Sequence, residues 1–306
     1  MTYSTIIIGG GPAGLTAAIY LGRYELDTLL ITDIVGGQTA IAGIIENYPG
    51  FMEINGFELI SKMKEKVQSL SKVELKTGEP LKEIKKVDIG FEVVTDKGSY
   101  IAKTVLIANG KRHRELGLPN EKELIGKGLS YCATCDGSFA RDKDVVIVGD
   151  GYAACESALI LSKIAKSVVM VGINKELSGE STTTNKVKNN EKIKAIHLTK
   201  TSELTTKDGL VSGLKLINLE TKAESEINCQ MVFVEIGQIP NTDRVSGLVE
   251  INSAKEIVID SKTNQTSVEG IYSAGDITDI PAKQTIVAAG EGAKAAIAIN
   301  RYLDRV

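Results

Sequence analysis

Ser4-Thr5-Ile6-Ile7-Ile8-Gly9-Gly10-Gly11-Pro12-Ala13-Gly14 is the stretch that decides the fold. A β-branched run favours a buried strand, and it stops at a cluster of glycines. A helical pattern follows from Leu15 to Leu21 and closes near Gly22, and Thr28-Leu29-Leu30-Ile31-Thr32 reads as a second buried strand ending at Asp33. Strand, Gly-x-Gly-x-x-Gly turn, helix and strand make a βαβ unit of the dinucleotide-binding kind. In such a unit Gly9 makes the tight turn, Gly11 lets the backbone approach a pyrophosphate, and Gly14 permits close packing of helix on strand. The free N–H groups at the helix start favour the anion. Asp33 falls where an acid can hold a ribose, or where a turn acid is simply solvated.

The pattern recurs. Asp144-Val145-Val146-Ile147-Val148 leads into Gly149-Asp150-Gly151-Tyr152-Ala153-Ala154, then a helix through Leu161 and a strand Ser167–Val171. Ala154 stands at the third glycine position. Between the units lies Tyr131-Cys132-Ala133-Thr134-Cys135-Asp136-Gly137. Two residues between thiols let one turn join the sulfurs and lower one thiol pKa, which favours a disulfide that opens and closes. Asp136 is placed to exchange a proton with a departing thiol, or to cap a turn. A zinc site needs four short-range ligands, and Cys155 and Cys229 fall singly in apolar patterns, where they read as packing residues. No metal site is expected, and His113 and His197 read as structural.

Elsewhere the chain reads as helix from Gly56 to about Leu70, antiparallel strands between Val73 and Tyr100, and a buried strand Thr104–Ala108 ending at Asn109-Gly110. Ser178 to Asn190, rich in Ser, Thr and Asn, reads as an exposed or mobile segment. Glu256–Asp260 reads as a short strand, Gly270–Asp276 as a strand with a polar tip, and Thr285–Leu303 as an alanine-rich helix. The 306-residue length fits two domains. A net charge of −3 gives no reason to expect nucleic acid or an anionic membrane surface. No apolar run reaches the length of a spanning helix, and the N-terminal apolar run belongs to the glycine motif rather than to a signal peptide. A cytoplasmic protein is therefore expected. In such a reducing compartment a C-x-x-C pair reads as catalytic or metal-binding rather than as a staple.

Taken together, GGGPAG, GGQ (Gly36–Gln38), ENYPG (Glu46–Gly50), CATCDG, IGQIPNT (Ile236–Thr242) and SAGD (Ser273–Asp276) followed by Lys283-Gln284 resemble, in this order, the low-molecular-weight thioredoxin reductases. The resemblance covers nearly the whole chain. It implies an α/β fold of two Rossmann-like, doubly wound domains. The FAD domain would be discontinuous, residues 1–110 and 244–306, around a central NAD(P)-type domain, residues 111–243, carrying the cysteines. By position, Gly9, Gly11, Pro12, Ala13 and Gly14 would hold the FAD pyrophosphate. Gly37, Gln38 and Asn47 would line the flavin or its linker, Gly275 and Asp276 would meet the ribityl chain or pyrophosphate, and Lys283 and Gln284 the isoalloxazine edge. Cys135 matches the cysteine nearest the flavin and Cys132 the one that attacks a partner. Lys283 stands where the family often has arginine, and Asn109 where it usually has threonine.

One departure is larger. NADPH-using members carry a basic HRRxxxR stretch after the second strand of the central domain, and here the stretch is Gly172-Ile173-Asn174-Lys175-Glu176-Leu177-Ser178. A dianionic 2′-phosphate calls for clustered cations, and Lys175, offset by Glu176, is the only one. Tyr152 also puts a large ring where the loop needs small residues. The expectation is an FAD-dependent thioredoxin-disulfide reductase, passing electrons from flavin to Cys132–Cys135 and on to thioredoxin or a thioredoxin-like protein. Its donor would be other than NADPH, as in the ferredoxin-dependent flavin reductases the resemblance includes. The alternatives are an ordinary NADPH- or NADH-dependent reductase and a flavin redox sensor without turnover. The resemblance also implies a homodimer. Because the pair must meet flavin and then a bulky protein disulfide, hinge rotation near Gly110–Arg114 and Pro240–Arg244 is expected.

Overall fold

The computed structural model describes residues 2–42 and 44–305. The chain divides into two compact units, Met1–Arg112 with Ile239–Val306, and His113–Gln238.

In the first unit the glycine motif joins β1 (Thr2–Gly10) to α1 (Pro12–Arg23), followed by β2 (Thr28–Val35). After α2 (Gly56–Gln68) come β3 (Val73–Thr77), β4 (Leu81–Val87), β5 (Gly90–Thr95) and β6 (Ser99–Ile107). The resulting sheet has seven strands, ordered β3-β2-β1-β6-β5-β4, with the later segment Ile271–Ser273 pairing β6. β1 is central and parallel to both neighbours, with Ile7 opposite Leu30 and Leu106. Alternation along β1 sends Ile6 and Ile8 to one core with Val93, Val105, Val245 and Ile257. Ile7 enters the other, with Leu15 and Leu21 of α1 and Ala295 and Ile299 of the C-terminal helix. The sheet is thus covered on both faces, which is why its parallel strands are continuously apolar.

The second unit begins with β7 (Leu129–Ser130), the cysteine turn α3 (Ala133–Asp136), β8 (Asp144–Val148), α4 (Tyr152–Ser162), β9 (Ser167–Val171), α5 (Ser181–Lys188) and β10 (Ile193–Ile196). The antiparallel strands β11 (Thr199–Lys207), β12 (Leu210–Asn218) and β13 (Glu224–Asn228) follow, then β14 (Met231–Val234). Five strands form a parallel sheet ordered β7-β14-β8-β9-β10. Val145 and Ile147 face the core that α4 closes, and Val146 and Val148 face the core shared with β11 and β12. This is a mixed α/β fold with two Rossmann-type sheets.

Two local expectations change. Ser181–Lys188 is a helix, α5, with Thr184 and Val187 buried; Val187 packs in the same core as Cys155 and Leu161 of α4. Tertiary burial here overrides a low helix propensity. Glu256–Asp260 is not a strand: Ile257 makes only isolated bridges, to Ile251 and Thr278. The chain returns to the sheet as β15 (Ile271–Ser273) and ends in α6 (Thr285–Leu303).

α6 reaches α1 because of a glycine. A Cβ built on Gly292 lies 2.0 Å from the Ala13 carbonyl oxygen, whereas one on Gly290 meets nothing within 4 Å. Gly292→Ala is expected to lower stability by about 1–3 kcal/mol, the usual cost of overpacking. Gly290→Ala should raise it by about 0.5–1 kcal/mol through helix propensity. Urea unfolding of both variants checks this; equal effects would show that the helices do not meet at Gly292.

Candidate functional site

The glycine turn of the first unit is tight on one side and open on the other. Gly9 has φ +111°, and its Cβ would lie 2.3 Å from the Ala108 carbonyl oxygen; that of Gly14 would lie 1.9 Å from the Gly9 carbonyl oxygen. Only glycine permits these approaches. A Cβ on Gly11 meets nothing within 4 Å, and one on Gly37 meets only the Gly11 Cα, at 3.9 Å. Open space therefore fronts the start of α1, where Pro12 leads the helix and no side chain caps it. Gly275, at the carboxyl end of β15, comes up against Ala13, its Cβ position 3.1 Å from that of Ala13. Such an open backbone cradle fits a dinucleotide pyrophosphate.

Several sequence-predicted residues meet around this turn. The Gln38 side-chain amide donates to the Lys111 carbonyl (3.3 Å), and the Asn47 amide donates to Gln284 Oε1 (3.0 Å). The Thr39 and Thr285 hydroxyls are 3.1 Å apart. Asp276 follows Gly275, and burial pushes its carboxyl up, with Lys283 and Lys111 pulling against the shift. Asp33 sits inside β2 with its side chain exposed.

In the second unit Cys132 and Cys135 form a disulfide, with Cα atoms 5.4 Å apart. Cys132 precedes α3, and its Sγ accepts from the Cys135 amide (3.1 Å). Cys132 is half-buried and Cys135 exposed. Asp136 is held by a residue that local pattern does not single out: the buried Ser130 donates from its hydroxyl to Asp136 Oδ2 (2.6 Å) and accepts the Cys132 amide (3.0 Å). Behind the pair, the Tyr131 hydroxyl donates to Glu121. The buried Glu121 carboxylate also gathers the amides of Leu116, Gly117 and Leu118. Burial and this carboxylate push the Tyr131 phenol well up, so it stays a neutral donor. The half-buried His113 ring lies 5.8 Å from that of Tyr131, and burial pushes its pKa down.

The second glycine turn is of a different character. Gly149 has φ +143°, and its Cβ would strike the Glu235 carbonyl oxygen at 2.2 Å, the same tight approach as at Gly9. The open side is bordered by the chain: a Cβ on Gly151 meets only the Ser178 Oγ, at 3.9 Å, and α4 starts without a side-chain cap, as α1 does. The Asp150 carboxylate turns to the end of β9, where it accepts the Asn174 amide (2.8 Å) and side-chain Nδ2 (2.9 Å). It lies so close to Gly172 that a Cβ there would be 2.2 Å from Oδ2. The Ser178 amide donates to the Asp150 carbonyl (2.8 Å), and Gly179 lies against Tyr152 at the start of α4. Two more acids stand nearby: the Tyr152 hydroxyl donates to Glu156 (2.7 Å), and the Ser157 hydroxyl to Glu235 (2.7 Å). Residues 172–179 thus border the turn, with the acids Asp150, Glu156 and Glu235 on or beside it. Between Gly172 and Ser178 the one cation is Lys175, beside Glu176. Nothing in the sequence signalled the Asp150–Asn174 or Glu235–Ser157 contacts.

Burial pushes the Glu235 carboxyl from 4.5 up to about 7, with the Ser157 bond opposing and Glu156 adding to the shift. Between these values the folded chain holds a proton that the unfolded chain has lost, so stability falls as pH rises through the window and levels off above it. Glu235→Gln should remove this dependence. Its stability relative to the parent should rise from pH 5 to pH 8 by up to about 3 kcal/mol. Urea unfolding at the two pH values measures this, and an unchanged difference would refute the assignment.

Residues 3–293 match the pyridine nucleotide-disulphide oxidoreductase family. The thioredoxin reductase of Treponema pallidum (strain Nichols) is 38% identical over 307 residues, which cover 99% of this chain and 97% of the relative. Against an alkyl hydroperoxide reductase component from Pseudomonas putida, 34% identical, 99% of this chain is covered but 58% of the relative. The crystal structure of Lactococcus lactis thioredoxin reductase superposes with a TM-score of 0.91 at 32% identity, covering 100% of both chains. A ferredoxin-flavin thioredoxin reductase from Clostridium acetobutylicum does so with a TM-score of 0.54 at 28% identity, covering 100% of this chain and 99% of that one. With both glycine turns and the cysteine pair lying inside the matched region, the chain belongs to the pyridine nucleotide-disulphide oxidoreductase family, among its thioredoxin reductase-like flavoprotein disulfide oxidoreductases.

Proposed function

We propose that this chain is an FAD-dependent thioredoxin-disulfide reductase whose electrons come from a donor other than NADPH, with a ferredoxin as the donor class. The observation that carries the donor reading is the charge around the second glycine turn, with Asp150 against Gly172 and Lys175 the one cation in residues 172–178. The likeness to a ferredoxin-flavin thioredoxin reductase supports it.

In this reading the first unit is the FAD domain and the second a nucleotide-type domain that retains the fold but not the nucleotide. Gly9, Gly11, Pro12, Ala13 and Gly14 hold the FAD pyrophosphate. Gly37, Gln38, Asn47, Gly275, Asp276, Lys283 and Gln284 surround the rest of the cofactor, and Asp33 lies toward the adenosine ribose. When bound, FAD supplies two-electron chemistry; the protein supplies position and electrostatics. The Cys132–Cys135 bond breaks on taking two electrons, and Asp136, steadied by Ser130, handles the proton that goes with them. The Cys132 thiolate then attacks one sulfur of the partner's disulfide. A new S–S bond forms to Cys132, and the partner's other sulfur leaves as a thiolate and is protonated. Cys135 attacks Cys132, re-forming the intramolecular bond and releasing the partner as a dithiol. The partner is a thioredoxin or a thioredoxin-like protein, and the enzyme works in the cytoplasm as a homodimer.

Anaerobic titration of the FAD-loaded protein tests the donor. Reduced ferredoxin should bleach the flavin absorbance, and micromolar NADPH or NADH should leave it unchanged over minutes; rapid bleaching by NADPH would sink the donor reading. Asp136→Asn should slow reduction of the partner disulfide about 100-fold or more, while flavin bleaching by the donor keeps its rate. An equal loss in both steps would remove Asp136 from the thiol chemistry.

A further inference from the structure

Two lysines from distant parts of the first unit share one carboxylate oxygen. Lys111 Nζ lies 3.0 Å and Lys283 Nζ 3.2 Å from Glu256 Oε1. All three side chains are largely withdrawn from water, at 13%, 23% and 16% exposure. Asn252 donates to the other oxygen, Oε2, at 3.1 Å, and the Lys283 ammonium also donates to the Thr278 carbonyl. Burial pushes the Glu256 carboxyl up, but the bonds from Asn252, Lys111 and Lys283 outweigh it and hold it below its usual value. The cluster is therefore two fixed cations on one fixed anion.

Its place in the fold gives it a use. Lys111 comes just after the carboxyl end of β6, and Gly275 and Asp276 just after that of β15, its parallel neighbour. In doubly wound sheets ligands bind outside the carboxyl ends of the strands, and Gly275 abuts Ala13 of the open glycine turn. Among the described residues the Asp276 carboxylate makes no hydrogen bond or ion pair, although it is half-buried and feels both lysines. The Gln38 amide bonds to the Lys111 carbonyl, and Gln284, adjoining Lys283, accepts from Asn47, so the cluster shares its backbone with the residues that ring the cofactor space.

We propose that Glu256 is a positioning residue for flavin redox balance: it pins Lys111 and Lys283 beside Asp276 at the flavin site and, by cancelling one of their charges, holds the flavin midpoint potential down. The inference rests on the flavoprotein reading above. Two-electron reduction adds two electrons and one proton to the isoalloxazine, a net gain of one negative charge, so each nearby uncompensated cation favours the reduced form. With Asp276 ionised, the two lysines and two carboxylates sum to zero. Removing the Glu256 charge leaves the group at +1; removing both lysine charges leaves it at −2.

Midpoint potentials of the FAD-loaded protein, measured by anaerobic titration against reference dyes, test this. Glu256→Gln should favour reduced flavin at least tenfold, an upward shift of about 30 mV for a two-electron couple. The double variant Lys111→Met/Lys283→Met should shift it downward, and Lys283→Arg should stay near the parent. A purely structural cluster would lower the unfolding temperature in the first two variants without moving the potential in opposite directions, and that result would overturn the proposal. Should Glu256→Gln fail to fold, the double lysine variant alone decides, by a downward shift or by none. A parent protein that takes up no FAD would instead defeat the flavoprotein reading, and this inference with it.

Discussion

Backbone-to-backbone contact at glycine is the constraint on which the first unit depends. A Cβ at Gly9, Gly14 or Gly292 would lie within 2.3 Å of a carbonyl oxygen, so at these three points strand, turn and two helices meet with nothing between them. The contacts seat α1 against both the sheet and α6, which share one core, and they leave the start of α1 uncovered at Gly11 and Gly37. Close packing on one side and open space on the other are consequences of one choice of residue. A larger side chain at any of the three would have to push an element outward before any question of a ligand arose.

The second unit repeats the tight side of this arrangement and borders the open side with acids. Gly149 approaches the Glu235 carbonyl as Gly9 approaches that of Ala108, so the strand–turn–helix geometry is retained. Asp150 then bonds the two Asn174 donors across the end of β9. A buried carboxylate satisfied by two donors is stable where it is, and displacing it would leave both donors and the acid in need of new partners.

How far the sequence could be read follows the range of the interactions involved. The buried strands, both glycine turns, the cysteine pair and the C-terminal helix rest on local pattern, and Thr285–Leu303 falls where the pattern places it. α5 escaped because Ser, Thr and Asn favour loops in isolation, and only the burial of Thr184 and Val187 holds it helical. Glu256–Asp260 has the composition of a strand but finds only bridge partners. The scarcity of cations after β9 was legible; the bond from Asn174 to the acid of the turn was not, since Asp150 and Asn174 are 24 residues apart and meet only once β8 and β9 are paired. Lys111 and Glu256, 145 residues apart, are further still beyond any local pattern.

The charges of the two units then make one argument. In the first, Glu256 holds Lys111 and Lys283 and Glu291 holds Lys294, while the buried Glu79 is held by the Thr95 and Tyr100 hydroxyls. In the second, the acids around the glycine turn are answered by hydroxyl and amide donors, and burial pushes Glu235 up to about 7 against its Ser157 bond. Among the described residues of this unit, the polar groups committed to a single local purpose lie instead around Cys132 and Cys135: Ser130 on Asp136, and Glu121 on Tyr131 and three loop amides. The second sheet mounts the disulfide, β7 delivering Ser130 and the cysteine turn, and Gly149 keeps the strand–helix packing that only glycine allows.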